Sequence, residues 1–152
     1  MKRLIIKQEN CVNCGACAMV CSKWHYGVFD KMKSNIQLPS PEENSKLQVC
    51  VQCKKKVCLE TCLKKAISVD LETGALVVDN EKCDGCMKCV LGCPNRAPWI
   101  DKQLKKMRVC DLCGGNPSCV VACRHTALFY MELEEYVQQK RKTVAAERRL
   151  EQ

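Results

Sequence analysis

The spacing of its cysteines constrains this chain more than any other feature of the sequence. Sixteen of the 152 residues are cysteine, and they fall into four groups of four that use every one of them. The groups are Cys11, Cys14, Cys17 and Cys21; Cys50, Cys53, Cys58 and Cys62; Cys83, Cys86, Cys89 and Cys93; and Cys110, Cys113, Cys119 and Cys123. One unit repeated four times indicates an architecture built around these thiols.

A cysteine content this high means that the thiols form either disulfides or metal sites. Disulfides need an oxidising compartment. The apolar run near the start of the chain is only Leu4-Ile5-Ile6, whereas a secretory signal needs about 7–15 apolar residues. No later stretch approaches the roughly 18 apolar residues of a membrane span. We therefore expect a cytoplasmic protein without direct membrane insertion, and metal sites are favoured over disulfides.

The third group, CDGCMKCVLGCP, separates its cysteines by two, two and three residues and ends in Pro94. The first group has the same spacing. A structural zinc ion is commonly held by two C-x2-C pairs. The observed run is instead typical of bacterial ferredoxins, in which three cysteines hold one cluster and the fourth ligates another. The second and fourth groups alone would suit zinc as well. The sequence thus predicts iron–sulfur clusters, with a zinc-binding interaction module as the alternative from another class.

Short elements are expected around the groups. Glycines between the cysteines predict tight turns with positive φ, and backbone N–H groups in such loops can point at cluster sulfurs. These glycines are Gly15, Gly85, Gly114 and Gly115. A short apolar stretch after each third cysteine predicts a helical turn that carries the fourth. The stretch AISVDLETGALVVDN predicts a β-hairpin that turns at Glu72-Thr73-Gly74, and RLIIK and ALFYM predict two further strands.

These elements predict an α+β fold of two nested bacterial ferredoxin-like units with short hairpins and short helices, plus a C-terminal helix. The second group, the hairpin and the third group follow one another and form an inner unit over about 48–96. The outer unit takes about 1–30 and 97–130, so that 1–130 form one four-cluster domain. The polar segment 30–46 predicts a connecting loop. Residues 131–152 lack proline and glycine and predict a helix, either solvated on its own domain or docking a partner subunit.

The formal net charge of +8 invites a nucleic-acid interpretation, but the cysteines weaken it. Sixteen thiolates would contribute sixteen negative charges, and four oxidised cluster cores of about +2 each would return roughly half of them. The basic residues then offset the charge of the clusters, and we expect no nucleic-acid partner. The lysines 54–56 lie inside a cysteine loop, where we expect them to raise the potential of the nearby cluster.

No motif in the sequence predicts a substrate site. There is no G-x-G-x-x-G, no P-loop and no nucleophile constellation, and the cysteines are all assigned to groups. The residues Trp24, His25, Trp99 and His125 flank the groups, and we interpret them as packing or hydrogen-bonding residues, because a single histidine near a cluster is more often a neighbour than a ligand. The chain is therefore predicted to be non-catalytic and to move electrons only.

With these motifs in place, the chain resembles the four-cluster polyferredoxin subunits of molybdenum and tungsten oxidoreductases, such as the electron-transfer subunits of the dimethyl sulfoxide reductase family. Similar subunits serve tungsten aldehyde:ferredoxin oxidoreductases, benzoyl-coenzyme A reductases, formate dehydrogenases and carbon monoxide dehydrogenase–hydrogenase systems. The resemblance covers roughly 4–130. The chain departs from the common pattern after the fourth cysteines of the first, second and fourth groups. Proline is common at these positions, and here they are Ser22, Leu63 and Arg124.

The resemblance implies four [4Fe–4S] clusters, with the groups paired crosswise into a wire. One cluster takes Cys11, Cys14, Cys17 and Cys123; its mate takes Cys110, Cys113, Cys119 and Cys21. An inner cluster takes Cys50, Cys53, Cys58 and Cys93; the last takes Cys83, Cys86, Cys89 and Cys62.

The partner implied by the resemblance is a catalytic tungsten or molybdenum subunit, with a flavin or ferredoxin protein as a possible further electron partner. Short loops resemble the small cytosolic members and favour a tungsten aldehyde oxidoreductase-type enzyme. The alternatives are a subunit of a hydrogenase, carbon monoxide dehydrogenase or formate dehydrogenase. A freely diffusing ferredoxin fits the tail helix less well.

Overall fold

Short helices and strands alternate with the cysteine loops along the chain. A computed structural model describes residues 1–40 and 46–150. In chain order the elements are β1 (Arg3–Ile6), α1 (Ala16–Tyr26), α2 (Val57–Glu60), β2 (Ile67–Val69), β3 (Leu76–Val78), α3 (Lys88–Leu91), β4 (Trp99–Asp101), β5 (Lys106–Arg108), α4 (Ser118–Ala122), β6 (Leu128–Met131) and α5 (Leu133–Leu150). This mixture is compatible with the predicted α+β class.

The strands form three separate antiparallel pairs, β1–β6, β2–β3 and β4–β5. The β2–β3 pair is the predicted hairpin, with Ile67 opposite Val78. The two strands predicted near the chain ends pair with each other, and Ile6 lies opposite Leu128. The β4–β5 hairpin was not predicted, because the strands WID and KMR are too short to show an alternating pattern.

Each third cysteine lies within a helix, at Cys17, Cys58, Cys89 and Cys119. The prediction that the same helix carries the fourth cysteine is correct for α1, which runs eleven residues and includes Cys21. It is wrong for the other three groups. The helices α2, α3 and α4 are four or five residues long, so each ends before its fourth cysteine. The helix α1 packs against α4, and α2 packs against α3.

The core is small and is shared between apolar side chains and thiols. Its most deeply buried large side chains are Leu4, Leu76, Leu112 and Val49. Buried cysteines pack against them in one continuous cluster. Because a chain of this size with few large apolar residues has a marginal core, ligation of the thiols is the expected further source of stability.

Two predicted segments differ in detail from the structure. The segment 30–46 contains a 3-10 turn at Lys31–Lys33 and a β-bridge between Gln37 and Gln48, while residues 41–45 lie outside the described residues. The predicted tail helix begins at Leu133, because Met131 belongs to β6. No helix in the described part of the chain is long and apolar enough to cross a membrane.

Candidate metal centres

Four thiols from the two ends of the chain line one small cavity of about 20 Å³. Three come from the first group and one from the fourth: Cys11, Cys14, Cys17 and Cys123. The pKa of Cys17 is raised to about 11, mainly by burial, and the other three thiols of this cavity contribute to the increase. That mutual effect requires the four sulfurs to lie near one another.

A second cavity of the same size, about 20 Å³, is lined by thiols of the second and third groups. The thiols are Cys62, Cys83, Cys86 and Cys89, and the rim includes the cations Lys64 and Lys88. Burial raises the pKa of Cys89 to about 11, with a contribution from Cys83. Each cavity therefore combines three cysteines of one group with the last cysteine of another.

The remaining cysteines form two more deeply buried sets. Burial raises the pKa of Cys50 to about 12, and Cys58, Cys53 and Cys93 add to the effect. Burial likewise raises the pKa of Cys119 to about 12, with contributions from Cys113 and Cys21. Burial also raises the pKa of Cys110, and Cys119 and Cys21 contribute to the increase.

The four sets lie in a row. Cys17 of the first cavity contributes to the raised pKa of Cys119. Likewise Cys50 contributes to the raised pKa of Cys110, and Cys58 to that of Cys89, so the two thiols of each pair lie near each other. These three pairs link each set to the next, and the two cavities occupy the ends. Each end has one exposed thiol, Cys14 at one and Cys86 at the other. The row therefore reaches the surface at both ends.

Backbone N–H groups point at several of these sulfurs, but only the Leu112 donor lies within a cysteine loop, where the sequence predicted such donors. At 3.3 Å, the N–H of Ala66 donates to Cys62 and that of Ala127 to Cys123. At 3.4 Å, the N–H of Asn35 donates to Cys21, that of Met107 to Cys83 and that of Leu112 to Cys110. The four predicted loop glycines all have positive φ. Such donors stabilise thiolates and tune the potential of a bound cluster.

A second repeat, missed in the sequence, positions the fourth cysteines. The pattern is Cys-x3-Ala at Cys62–Ala66, Cys93–Ala97 and Cys123–Ala127. Each alanine is buried, and the residue before it has positive φ: Lys65, Arg96 and Thr126. The unit leads into β2, β4 and β6 in turn. Aligning the groups on their last cysteines would have revealed it and would have predicted the strand β4.

Of the flanking aromatic and histidine residues, two lie within the fold and two are exposed to solvent. His25 is hydrogen-bonded, with its ring between Cys21 and Asp111, and Trp99 lies in β4 with a buried indole nitrogen. The packing interpretation is wrong for Trp24, which is 59% exposed on the last turns of α1. His125 is also exposed, at the edge of the first cavity.

The donor sets fit [4Fe–4S] clusters better than single zinc ions. A zinc ion draws four sulfurs to about 2.3 Å from one point and leaves no empty space between them. Here two of the sets surround a cavity of about 20 Å³ each, so their sulfurs do not converge on one point. Thiolates directed at the core and backbone N–H donors directed at the sulfurs are the usual environment of such clusters.

Comparison with known proteins gives matches over nearly the whole chain. A 4Fe-4S dicluster domain matches residues 45–133, and a 4Fe-4S binding domain matches residues 8–26. The aliphatic sulfonate oxidoreductase polyferredoxin-like subunit of Pyrococcus furiosus is 40% identical over 82% of this chain and 75% of its own length.

Two further relatives are longer than this chain. The NADH-dependent phenylglyoxylate dehydrogenase subunit beta of Aromatoleum evansii is 34% identical over 78% of this chain and 27% of its own length. The nitrate-inducible formate dehydrogenase iron–sulfur subunit of Escherichia coli is 26% identical over 93% of this chain and 58% of its own length. A family model that covers more than half of the residues, together with the 40% identical relative, shows that this chain belongs to the iron–sulfur electron-transfer subunits of oxidoreductases and binds multiple [4Fe–4S] clusters.

Proposed function

We propose that this chain is the non-catalytic subunit that relays single electrons, through four [4Fe–4S] clusters, to or from a catalytic tungsten or molybdenum subunit. The observation that carries the proposal is the row of four thiol sets with an exposed thiol at each end. A row that opens at both ends suits a relay between two redox partners.

The ligands of each cluster are proposed from the same sets. The first cluster is held by Cys11, Cys14, Cys17 and Cys123; the second by Cys110, Cys113, Cys119 and Cys21; the third by Cys50, Cys53, Cys58 and Cys93; the fourth by Cys83, Cys86, Cys89 and Cys62. The shared cavities and the mutual pKa effects support this assignment. The α1–α4 and α2–α3 packing supports two nested units within residues 1–130.

When bound, each cluster supplies a centre that accepts or donates one electron. The chain holds these centres in order and controls access to them. Buried thiols such as Cys50 and Cys110 shield the middle of the row from solvent, whereas Cys14 and Cys86 bring its ends to the surface. Partners are therefore expected to exchange electrons at the two ends, where the thiols are most exposed.

The catalytic partner is proposed to be a tungsten enzyme of the aldehyde oxidoreductase type. The short loops of this chain support that choice. The 40% identical relative is named as the polyferredoxin-like subunit of an aliphatic sulfonate oxidoreductase, which supports an oxidoreductase partner in general. A formate dehydrogenase is the second candidate, because a formate dehydrogenase iron–sulfur subunit aligns with 93% of this chain. The proposed location is the cytoplasm, because cysteines that ligate clusters and form no disulfides suit a reducing compartment.

The partner can be identified by purifying the tagged chain anaerobically from its own host with its bound subunits. The proposal predicts tungsten or molybdenum in a co-purifying subunit, in a constant ratio to this chain. Nickel in that subunit would instead identify the partner as a hydrogenase or carbon monoxide dehydrogenase. A chain that reduces a substrate by itself would contradict the non-catalytic role.

A further inference from the structure

One buried glutamine joins the two middle thiol sets of the row. Gln52 lies in the second cysteine loop, between Cys50 and Cys53, and is 5% exposed. Its side-chain Nε2 donates a 2.6 Å hydrogen bond to the carbonyl oxygen of Cys110, which lies 58 residues further along the chain. Its Oε1 accepts a 3.1 Å hydrogen bond from the backbone N–H of Leu76 in β3. One side chain therefore connects the second cysteine loop to the fourth loop and to β3.

Both partners of the Gln52 amide depend on it. They determine its orientation, because a backbone carbonyl can only accept a hydrogen bond and a backbone N–H can only donate one. Cys110 and Leu76 are both buried. A buried backbone group without a partner is costly. Loss of the amide would remove the hydrogen bonds that this side chain gives to the fourth loop and accepts from β3.

The backbone conformation of Gln52 supports a specific role for its side chain. In each group the residue just before the second cysteine has a positive φ, and these residues are Asn13, Gln52, Gly85 and Leu112. Glycine and asparagine tolerate this conformation, and they occupy the position at the two ends of the row. In the middle of the row the position holds the buried side chains of Gln52 and Leu112. Packing between the loops therefore overrides the local preference there.

The Gln52 amide lies where the two proposed units meet. Cys50 belongs to the third proposed cluster and Cys110 to the second, and each is the first cysteine of its group. Cys50 contributes to the raised pKa of Cys110, so the two thiols lie near each other. The helix pairs α1–α4 and α2–α3 pack within one unit each. The hydrogen bond from Gln52 to Cys110 instead crosses from one unit to the other.

We infer that Gln52 is a positioning residue that fixes the separation of the second and third clusters, and so controls the electron-transfer step between the two units. The inference rests on the proposed function. Hydrogen bonds from neighbouring residues orient the ligands of metal sites, and groups that act together need to be held to within about 0.5 Å. In this step one electron leaves one cluster and enters the other, and no bond forms or breaks.

The test is electron paramagnetic resonance of the whole chain, reduced anaerobically, beside Gln52→Asn and Gln52→Met. Asparagine keeps the amide and tolerates the positive φ but is one methylene shorter, so it cannot reach both partners. Methionine keeps the length of the side chain but loses both hydrogen bonds.

Neighbouring reduced clusters broaden each other's signals through their magnetic interaction. We expect this broadening in the parent chain, and we expect both Gln52 variants to retain the iron of the parent but to lose part of the broadening. The change should appear in the signals of the second and third clusters. Cys119→Ser and Cys53→Ser identify those signals, since changing a ligand alters the signal of its own cluster.

The matched control is Gln8→Met. Gln8 makes the same pair of side-chain hydrogen bonds, since its Nε2 donates to the carbonyl oxygen of Leu47 at 2.7 Å and its Oε1 accepts from the N–H of Leu47 at 3.1 Å. Neither bond reaches a cysteine. Gln8→Met should therefore leave the broadening of the second and third cluster signals unchanged.

Three results would overturn the inference: unchanged broadening in a Gln52 variant that retains its iron, iron loss in both variants, or an equal change in Gln8→Met. If one Gln52 variant loses iron, the other decides. Clusters without mutual broadening in the parent chain would also overturn it. If the parent chain holds no clusters, the proposed function itself fails, so the two failures are distinguishable.

Discussion

At the residue scale, the crosswise assignment of cysteines makes a prediction about pairs of substitutions. Cys123→Ala and Cys11→Ala should damage the same cluster, so the double variant should lose about as much iron as either single one. Cys123→Ala with Cys113→Ala should damage two clusters, and its iron loss should be about the sum of the single losses. Iron content and the visible spectrum after anaerobic reconstitution measure both effects. The reverse pattern would show that each group ligates its own cluster.

Gly85 is predicted to be essential to the third cysteine loop. Its φ is +73°, and a Cβ there would lie 2.4 Å from the carbonyl oxygen of Lys105. Gly85→Ala therefore adds a backbone clash to the cost of the left-handed conformation, which is about 1–2 kcal/mol for a non-glycine residue. We expect a lower midpoint for thermal loss of cluster absorbance.

Gly27→Ala is the matched control for Gly85→Ala. Gly27 has a φ of +71° but nothing within 4 Å of the added Cβ. It should lower the midpoint less, by the conformational cost alone. Equal effects of the two substitutions would show that the loop at Lys105 moves away without cost.

Residue-level features could be predicted where chemistry alone determines them. The sequence predicted the positive φ of the loop glycines, and of the N–H groups directed at sulfur it predicted the one in a cysteine loop, that of Leu112. The exposure of Trp24 and His125 could not be predicted, because it depends on which elements pack over each side chain. The role of His25 was predicted only as a hydrogen bond, since its partner Asp111 lies 86 residues away.

At the scale of elements, α5 is predicted to be dispensable for cluster binding. Its described side chains over 137–146 are all exposed, and in its first turn Tyr136 contacts Phe129. A helix without packing partners is marginal in water. Ending the chain after residue 138 should leave iron content and thermal stability unchanged but weaken co-purification with the catalytic subunit. A loss of iron in the shortened chain would contradict this.

The elements that the sequence predicted best are those with a complete local pattern. The β2–β3 hairpin has alternating residues and a turn, and the tail helix has a long uninterrupted run. The hairpin β4–β5 has neither. Helices α2 to α4 end earlier than predicted because they form little more than one turn after the third cysteine.

At the scale of the whole molecule, the two ends of the row differ in charge. The Cys86 cavity is lined by Lys64, Lys88 and Asp84, with Lys64 3.9 Å from the Asp84 carboxylate, so one lysine there is uncompensated within the lining; uncharged residues and His125 line the Cys14 cavity. Lys64→Glu with Lys88→Glu should slow reduction by the anionic dye anthraquinone-2,6-disulfonate about tenfold at low ionic strength, with little effect at high salt. Stopped-flow absorbance measures the rate.

Lys140→Glu with Lys142→Glu on α5 changes the net charge by the same amount, away from either cavity. This control should leave the rate with the anionic dye nearly unchanged. An equal slowing by both double variants would mean that net charge, and not the Cys86 end, attracts the donor.

The relative placement of the four thiol sets could not be predicted from the residues, because it depends on how α1 meets α4 and how α2 meets α3. The crosswise pairing came from a family resemblance, and as a statement about ligands it stays a prediction. The grouping of thiols around shared cavities is the physical feature that makes it testable.

The central claim is that all sixteen cysteines bind four [4Fe–4S] clusters. Its most direct test is the quantity of iron, acid-labile sulfide and zinc per chain in protein purified anaerobically from its own host. Four clusters predict about sixteen irons and about sixteen sulfides per chain, with no stoichiometric zinc. Zinc without iron, at one ion per thiol set, would contradict the account.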